Sequence, residues 1–236
     1  MMGHRLLMAA SNLGLTYVET VLQDKPVAFW QLNETSGTVA ADSSGNGINA
    51  TIETGVTIGE SGIPAGGGSF LFNGSSGYLS VPQATQLALS SQGTVEVWAK
   101  PTSLGVDQDF IGIGTTANHT NNGYRCRINS SNQADLIYAL ADQLSGGSVS
   151  ANEWAQFVFT FTESGASQIF INGALVASGG ADYSYSAGSP VGGGIGVNIN
   201  DGTLIEYFNG YLSNISVYNT VLSASRIQAH YNAGIS

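Results

Sequence analysis

The segment from Trp154 to Ala177 constrains the fold most. Phe157, Phe159 and Phe161 alternate with Val158, Thr160 and Thr162. A period of two places the three rings on one face of an extended chain. Gln168 to Ile171 then runs into Asn172-Gly173, and Ala174 to Ala177 returns. Asn-Gly tolerates the positive φ angles of a type I′ turn, so the pair predicts a tight antiparallel hairpin. Such a hairpin needs a second layer to cover its apolar face.

The same grammar recurs along the chain. Glycine occurs 32 times in 236 residues, about twice average usage. Much of it follows Asn, Asp or Ser, which is turn chemistry. Phe29 to Leu32 reads as a first strand. Ser69 to Phe72 ends at Asn73-Gly74, and Tyr78 to Val81 is expected to pair back on it as a hairpin. From Gly93 to Lys100 the chain alternates: Val95, Val97 and Ala99 share one face, Thr94, Glu96, Trp98 and Lys100 the other. Phe110–Gly114, Tyr124–Ile128, Ala134–Ala139, Gly192–Val197, Leu204–Phe208 and Tyr211–Tyr218 are further strands. Only the end looks helical, with Ser223 as cap, Ile227 and Tyr231 on the apolar face and Gly234 as stop. Strand–helix alternation is missing, which excludes a parallel α/β fold and leaves an antiparallel sandwich or barrel. No composition break or repeat divides residues 25–236, so they are expected to form one domain.

Charge narrows the partners. Six basic residues stand against 16 acidic ones, for a net charge of -10. Phosphate contacts need Lys and Arg, so nucleic acid is excluded, and an anionic membrane surface with it. No apolar run approaches the length of a membrane-spanning helix, so no membrane insertion is expected. His4 and Arg5 before Leu6 to Ala10 look faintly like a signal peptide, but Ser11, Asn12 and Gly14 break the apolar stretch. Residues 1–24 read as an N-terminal arm leading into the domain. Cys126 is the only cysteine. It alternates with Arg125 and Arg127 and is expected to face the core.

A family resemblance rests on five motifs in order. They are Val27 to Thr38 followed by Ala41 to Gly47; Ser69 to Val81; Thr94 to Pro101 around Trp98; Trp154 to Ser178, with Ile171-Asn172-Gly173-Ala174-Leu175-Val176; and Phe208 to Tyr231. Together they resemble laminin-G-like domains of the concanavalin A-like lectin and glucanase type. The resemblance implies an all-β fold: a two-sheet antiparallel jelly-roll sandwich with a short C-terminal helix. Domains of this type usually lack catalysis. They occur as sugar- or protein-binding modules in secreted proteins and in virion proteins.

Chemistry is sparse. Glycosidases on this sandwich carry paired acids at Glu-x-Asp-x-x-Glu spacing on one strand, flanking the sugar bond. Here Glu96 and Glu206 each stand alone, so no enzyme is expected. His4, His119 and His230 are scattered and read as surface residues. The loop from Glu34 to Gly47 offers Glu34, Asp42 and Asn46 as oxygen ligands for a structural Ca²⁺; the alternative is that Asp42 and Asn46 make Asx turns. In related jelly rolls an Asp of the closing strand completes such a site, and this chain has Asn214 there. Tyr124, Tyr183 and Tyr185 could stack on sugar rings or pack loops.

These features give a first expectation of a non-catalytic virion structural protein, a phage capsid decoration or tail-associated protein. It would display a lectin-like jelly roll, be held to neighbouring virion or self subunits by its arm, and attach to glycans. The second expectation is a secreted or cell-surface carbohydrate-binding module. A glycoside hydrolase is the reading from another class.

Overall fold

The computed structural model describes residues 15–89, 91–115, 118–138, 142–162, 166–179 and 191–236. The chain opens with α1 (Tyr17–Gln23), β1 (Ala28–Trp30), β2 (Val39–Ala40), β3 (Ala50–Ile52), β4 (Val56–Ile63), β5 (Gly66–Asn73) and β6 (Leu79–Ala84). A 3-10 turn over Thr85–Leu87 follows, then β7 (Gln92–Pro101), β8 (Gln108–Thr115), β9 (Asn118–Ile128), β10 (Ala134–Tyr138), β11 (Asp142–Gly146) and β12 (Ala155–Thr162). It closes with β13 (Ser167–Ile171), β14 (Ala174–Gly179), β15 (Val191–Ile195), β16 (Asn198–Asn200), β17 (Thr203–Ile205), β18 (Asn209–Tyr218) and α2 (Ala224–Ile235).

Two antiparallel sheets form a jelly-roll sandwich. The first runs β14-β13-β12-β7-β18-β5-β4, with β1 also on β18. The second runs β11-β10-β9-β8-β15-β6-β3-β2. Strand β18 changes neighbour part-way along. Its first half pairs with β5 and its second with β1, and the switch falls at a bulge where Asn214 takes φ 50.

The alternating residues of β7 and β12 behave as their period demands. Val95, Val97, Ala99, Phe157, Phe159 and Phe161 are buried between the sheets with Phe110, Tyr124 and Cys126. Phe110 and Phe157 bring their ring centroids to 4.9 Å. Burying each such side chain contributes roughly 1.5–3 kcal/mol. Asn172 and Gly173 take φ 53 and 77 between β13 and β14, the backbone expected of a type I′ turn.

Asn73-Gly74 behaves differently. The expected hairpin between Ser69–Phe72 and Tyr78–Val81 does not form, because β5 and β6 belong to opposite sheets. Asn73 Oδ1 accepts from the N–H groups of Ser75, Ser76 and Gly77 and shapes a wider loop that carries the chain across the sandwich. Strand β5 pairs instead with β18 and with β4, and the alternation of β4 is too weakly apolar to read from sequence.

Helices cover the outer face of the first sheet. Tyr17, Val21, Phe29, Trp98, Val158, Phe170, Tyr218 and Ile227 form a second apolar cluster there. Helix α1 has only seven residues, too few to stand alone in water. Thr16 and Glu19 form a capping box at its start. Residues 15–24, the last part of the expected arm, pack on the body of the domain through Tyr17 and Val21. In α2, Ser223 caps as expected. Gly234 does not stop the helix. It lies inside it, where a Cβ would come within 2.2 Å of Trp98 Cζ2. Among the described residues no helix is long and apolar enough to cross a membrane.

Candidate functional site

Among the described residues, polar groups gather in two charge clusters and in open clefts, of which the one at the rim of the second sheet is the roomier of two. The first cluster lies between α1, α2 and the outward face of β7. Glu96 is 0% exposed. Its Oε1 accepts from Tyr17 Oη at 2.8 Å and Gln156 Nε2 at 2.8 Å, and its Oε2 lies 2.7 Å from His230 Nδ1. His230 Nε2 reaches Asp24 Oδ2 at 2.8 Å, and Arg226 holds the same carboxylate. His230 is thus buried, not a surface residue as its isolation in sequence suggested. Burial pulls its pKa down, but the charge of Glu96 and the hydrogen bonds that the ring gives to Glu96 and Asp24 outweigh it, and the net shift is upward. Burial, reinforced by Glu96, pushes the Tyr17 phenol well up. Glu96 is closed to any substrate, because both of its oxygens are engaged under the helices.

The second cluster lies on the outward face of the second sheet. Asp109 of β8, Arg127 of β9 and Asp135 of β10 stand opposite one another across the strands. Arg125 donates to Asp109 through Nε and Nη2, both at 2.8 Å, and also to Glu206. Arg127 donates to Asp135 at 2.8 Å and to Asp107 at 2.7 Å. A bulge in β8 frees the Asp109 N–H to donate to the Glu206 carbonyl at 2.9 Å. Glu206 follows β17, so side chain and main chain together fasten the β16–β17 hairpin over the sheet. Burial raises the Asp109 pKa and the Arg125 guanidinium opposes it.

Glu206 is therefore not alone, as its isolation in sequence implied. The signal was present: Arg125 and Arg127 are two apart and share a face of β9, and Asp109 of β8 has Asp107 two residues before it, just outside the strand. What sequence does not show is that these faces meet. Asp109 and Asp135 are 0% exposed and held by guanidinium groups, so these two carboxylates fasten the fold, while Asp107 and Glu206 remain partly exposed at its edge.

Of the expected calcium ligands, Asp42 is enclosed by donors, while Glu34 Oε2 is buried without a hydrogen-bond partner among the described residues. Asp42 Oδ1 accepts from the N–H groups of Phe29 and Ser44, and Oδ2 accepts from Ser44 Oγ and the Ile48 N–H. Four donors surround this carboxylate where a cation would need to approach. Glu34 Oε1 accepts from the Ala41 N–H, and Asn46 Nδ2 donates to the Val27 carbonyl. The loop and closing strand do meet, but through Gln31: its carbonyl accepts from the Asn214 N–H, and its amide donates to Ser43. The Asx-turn alternative describes Asp42. Among the described residues no three carboxylate, imidazole or thiolate groups gather to hold a metal.

The aromatic candidates divide. Tyr183 and Tyr185 lie outside the described residues. Tyr124 is 0% exposed and its ring packs 5.7 Å from that of Phe161. It is a core residue and offers no face to a sugar, because its position in β9 points it between the sheets.

The open cleft lies at the rim of the second sheet. Pairing between β3 and β6 stops at Thr51 and Ser80. Pro82, which has no N–H for a ladder, follows two residues later. Beyond that point the chain at Asn46–Ile48 and the chain at Pro82–Gln86 border an open groove of about 490 Å³. Asn46, Gln83, Thr85 and Gln86 are exposed there, above a buried Ile48. Amides and a hydroxyl over an apolar floor suit a polar, uncharged ligand. The loop expected to hold a metal thus contributes Asn46 to a cleft instead.

Residues 73–228 match the sequence profile of the Concanavalin A-like lectin/glucanases superfamily. The chain belongs to this superfamily. No curated protein matches this concanavalin A-like domain. Solved structures do. A sialidase from Trypanosoma rangeli matches with a TM-score of 0.64 at 17% identity, over 88% of this chain and 33% of that one. Domain 4 of a GH43 extracellular arabinanase from Geobacillus stearothermophilus, in complex with arabinotriose, matches with a TM-score of 0.63 at 21% identity. That match covers 88% of this chain and 98% of the arabinanase domain. The binding domain of Paraclostridial Mosquitocidal Protein 1 matches with a TM-score of 0.68 at 15% identity, over 90% of this chain and 53% of that one. The concanavalin A-like domain spans about a third of the sialidase chain it matches. At these identities the likeness is one of fold.

Proposed function

We propose that this lectin-like sandwich is a non-catalytic glycan-binding module and that the rim cleft is its binding site. The observation that carries the proposal is the cleft itself, about 490 Å³ lined by exposed neutral hydrogen-bonding side chains. Its volume lies within the range of small-molecule sites. The carboxylates that a glycosidase would need are engaged elsewhere: Glu96 under the helices, and Asp109 and Asp135 against arginines. The arabinanase domain solved with arabinotriose supports the reading by its fold.

Display on a virion rests in part on an arm gripped by neighbouring subunits. Residues 15–24 instead pack on their own domain, so that premise is lost for them. The glycan reading stands without it, whether the module is carried by a virion or by a secreted protein.

A glycan array with the purified chain tests the proposal, repeated with Gln83→Ala/Gln86→Ala. Binding to a glycan that the double variant weakens is the expected result. A wild-type signal that the double variant leaves unchanged would move the site away from the cleft.

A further inference from the structure

We infer that the cleft's ligand is a neutral glycan, and that the module discriminates against sialylated, uronic or sulfated chains. The inference rests on the glycan reading above. Holding a carboxylate or sulfate in water takes a guanidinium, an ammonium or a cradle of N–H donors. The chain has six cations: Arg5, Lys25, Lys100, Arg125, Arg127 and Arg226. Arg5 lies outside the described residues.

Three of the remaining five are engaged by the protein's own acids. Arg125 is bidentate on Asp109 and also holds Glu206. Arg127 holds Asp135, Asp107 and, at 3.3 Å, Glu206. Arg226 grips Asp24 and the Thr20 carbonyl. Lys100 places its ammonium 5.1 Å over the Tyr211 ring. Lys25 is exposed but follows Asp24 and does not line the cleft. Beyond residue 14, the stretches outside the description contain no Lys or Arg.

The cleft therefore presents Gln83 and Gln86 amides, with Thr85 Oγ1 donating to Gln86 and Asn46 Nδ2 turned to Val27 and Ser44, in the field of a chain with net charge -10. Sugar hydroxyls both donate and accept, as amides do, and find partners there. An anionic substituent meets no partner cation and is repelled.

The test is isothermal titration with matched oligosaccharides. Each neutral chain that binds on the array is compared with the same chain carrying a sialic acid, a uronic acid or a sulfate. The expected result is a loss of at least about tenfold on adding the charge, shrinking as salt is raised. Gln86→Lys should narrow the gap by placing a cation in the cleft. Anionic chains binding as tightly as their neutral parents would overturn this inference and leave the glycan reading intact. No binding to any glycan would overturn both.

Discussion

Glu96 Oε2 and His230 Nδ1 stand 2.7 Å apart, 134 positions distant in sequence, with neither side chain exposed. This contact joins the centre of the first sheet to the last helix. Through Asp24 it also reaches the first helix. The domain closes its own ends on a buried charge network that no local segment announces.

Glu96→Ala should destabilise the domain by about 3–5 kcal/mol, because it leaves an imidazole and a phenol buried without their acceptor. Glu96→Gln keeps the shape and should cost less. Urea midpoints of the two variants, compared at constant m-value, check the order.

His230 makes stability depend on pH. Its folded pKa is raised above the ordinary 6.5 by Glu96 and Asp24, against the pull of burial. A raised pKa means the folded state binds the proton more tightly. The contribution is fully present below the unfolded pKa and is lost as pH rises through the folded pKa. Thermal midpoints should therefore fall as pH climbs from about 6.5, and His230→Gln should flatten that part of the curve. Asp24, Arg226, Tyr17 and Tyr218 also bear on this ring, so a double variant with Asp24→Asn should remove the slope more completely.

Arg125→Ala should cost about 3–5 kcal/mol by leaving Asp109 buried and uncompensated. It should also loosen the β16–β17 hairpin, which Glu206 ties to the sheet. Hydrogen exchange would show faster exchange across Asn198–Ile205 than in the β7–β12 pair. Arg125→Met combined with Asp109→Leu should recover much of the stability, because an apolar pair replaces the charges without an orphan.

Gly234→Ala would normally favour a helix by about 1 kcal/mol. Here the new methyl meets Trp98 at 2.2 Å. The indole stacks on Tyr231 at 6.0 Å and meets Tyr17 edge-on, so it has little room to yield. A net loss of about 1–3 kcal/mol is expected, with a shift in tryptophan emission.

Legibility varied with the range of the interaction. The alternation of β7 and β12 and the Asn172-Gly173 turn are local, and both stand in the structure as read. Asn73-Gly74 has the same two letters, but its neighbours lie in opposite sheets, so the same turn signal led to the wrong pairing. Asp107, Asp109, Arg125 and Arg127 each carried a readable face. Their meeting depends on which strands are adjacent. The cleft was least legible, since it arises where β3 and β6 stop pairing and a gap has no residue pattern of its own.

The amino-acid order alone determined antiparallel strands with a helix at the C-terminal end; it left sandwich and barrel both open and did not announce the first helix. Period-two burial and turn backbone are properties of a few neighbouring residues. Only the tertiary structure decided that Asp42 gathers four donors from Phe29, Ser44 and Ile48, that His230 is buried between two carboxylates, and that Tyr17 and Val21 pack under the last helix. Each of these depends on which distant groups compete for the same donor, acceptor or charge. That competition is settled when the chain is folded, not along its length.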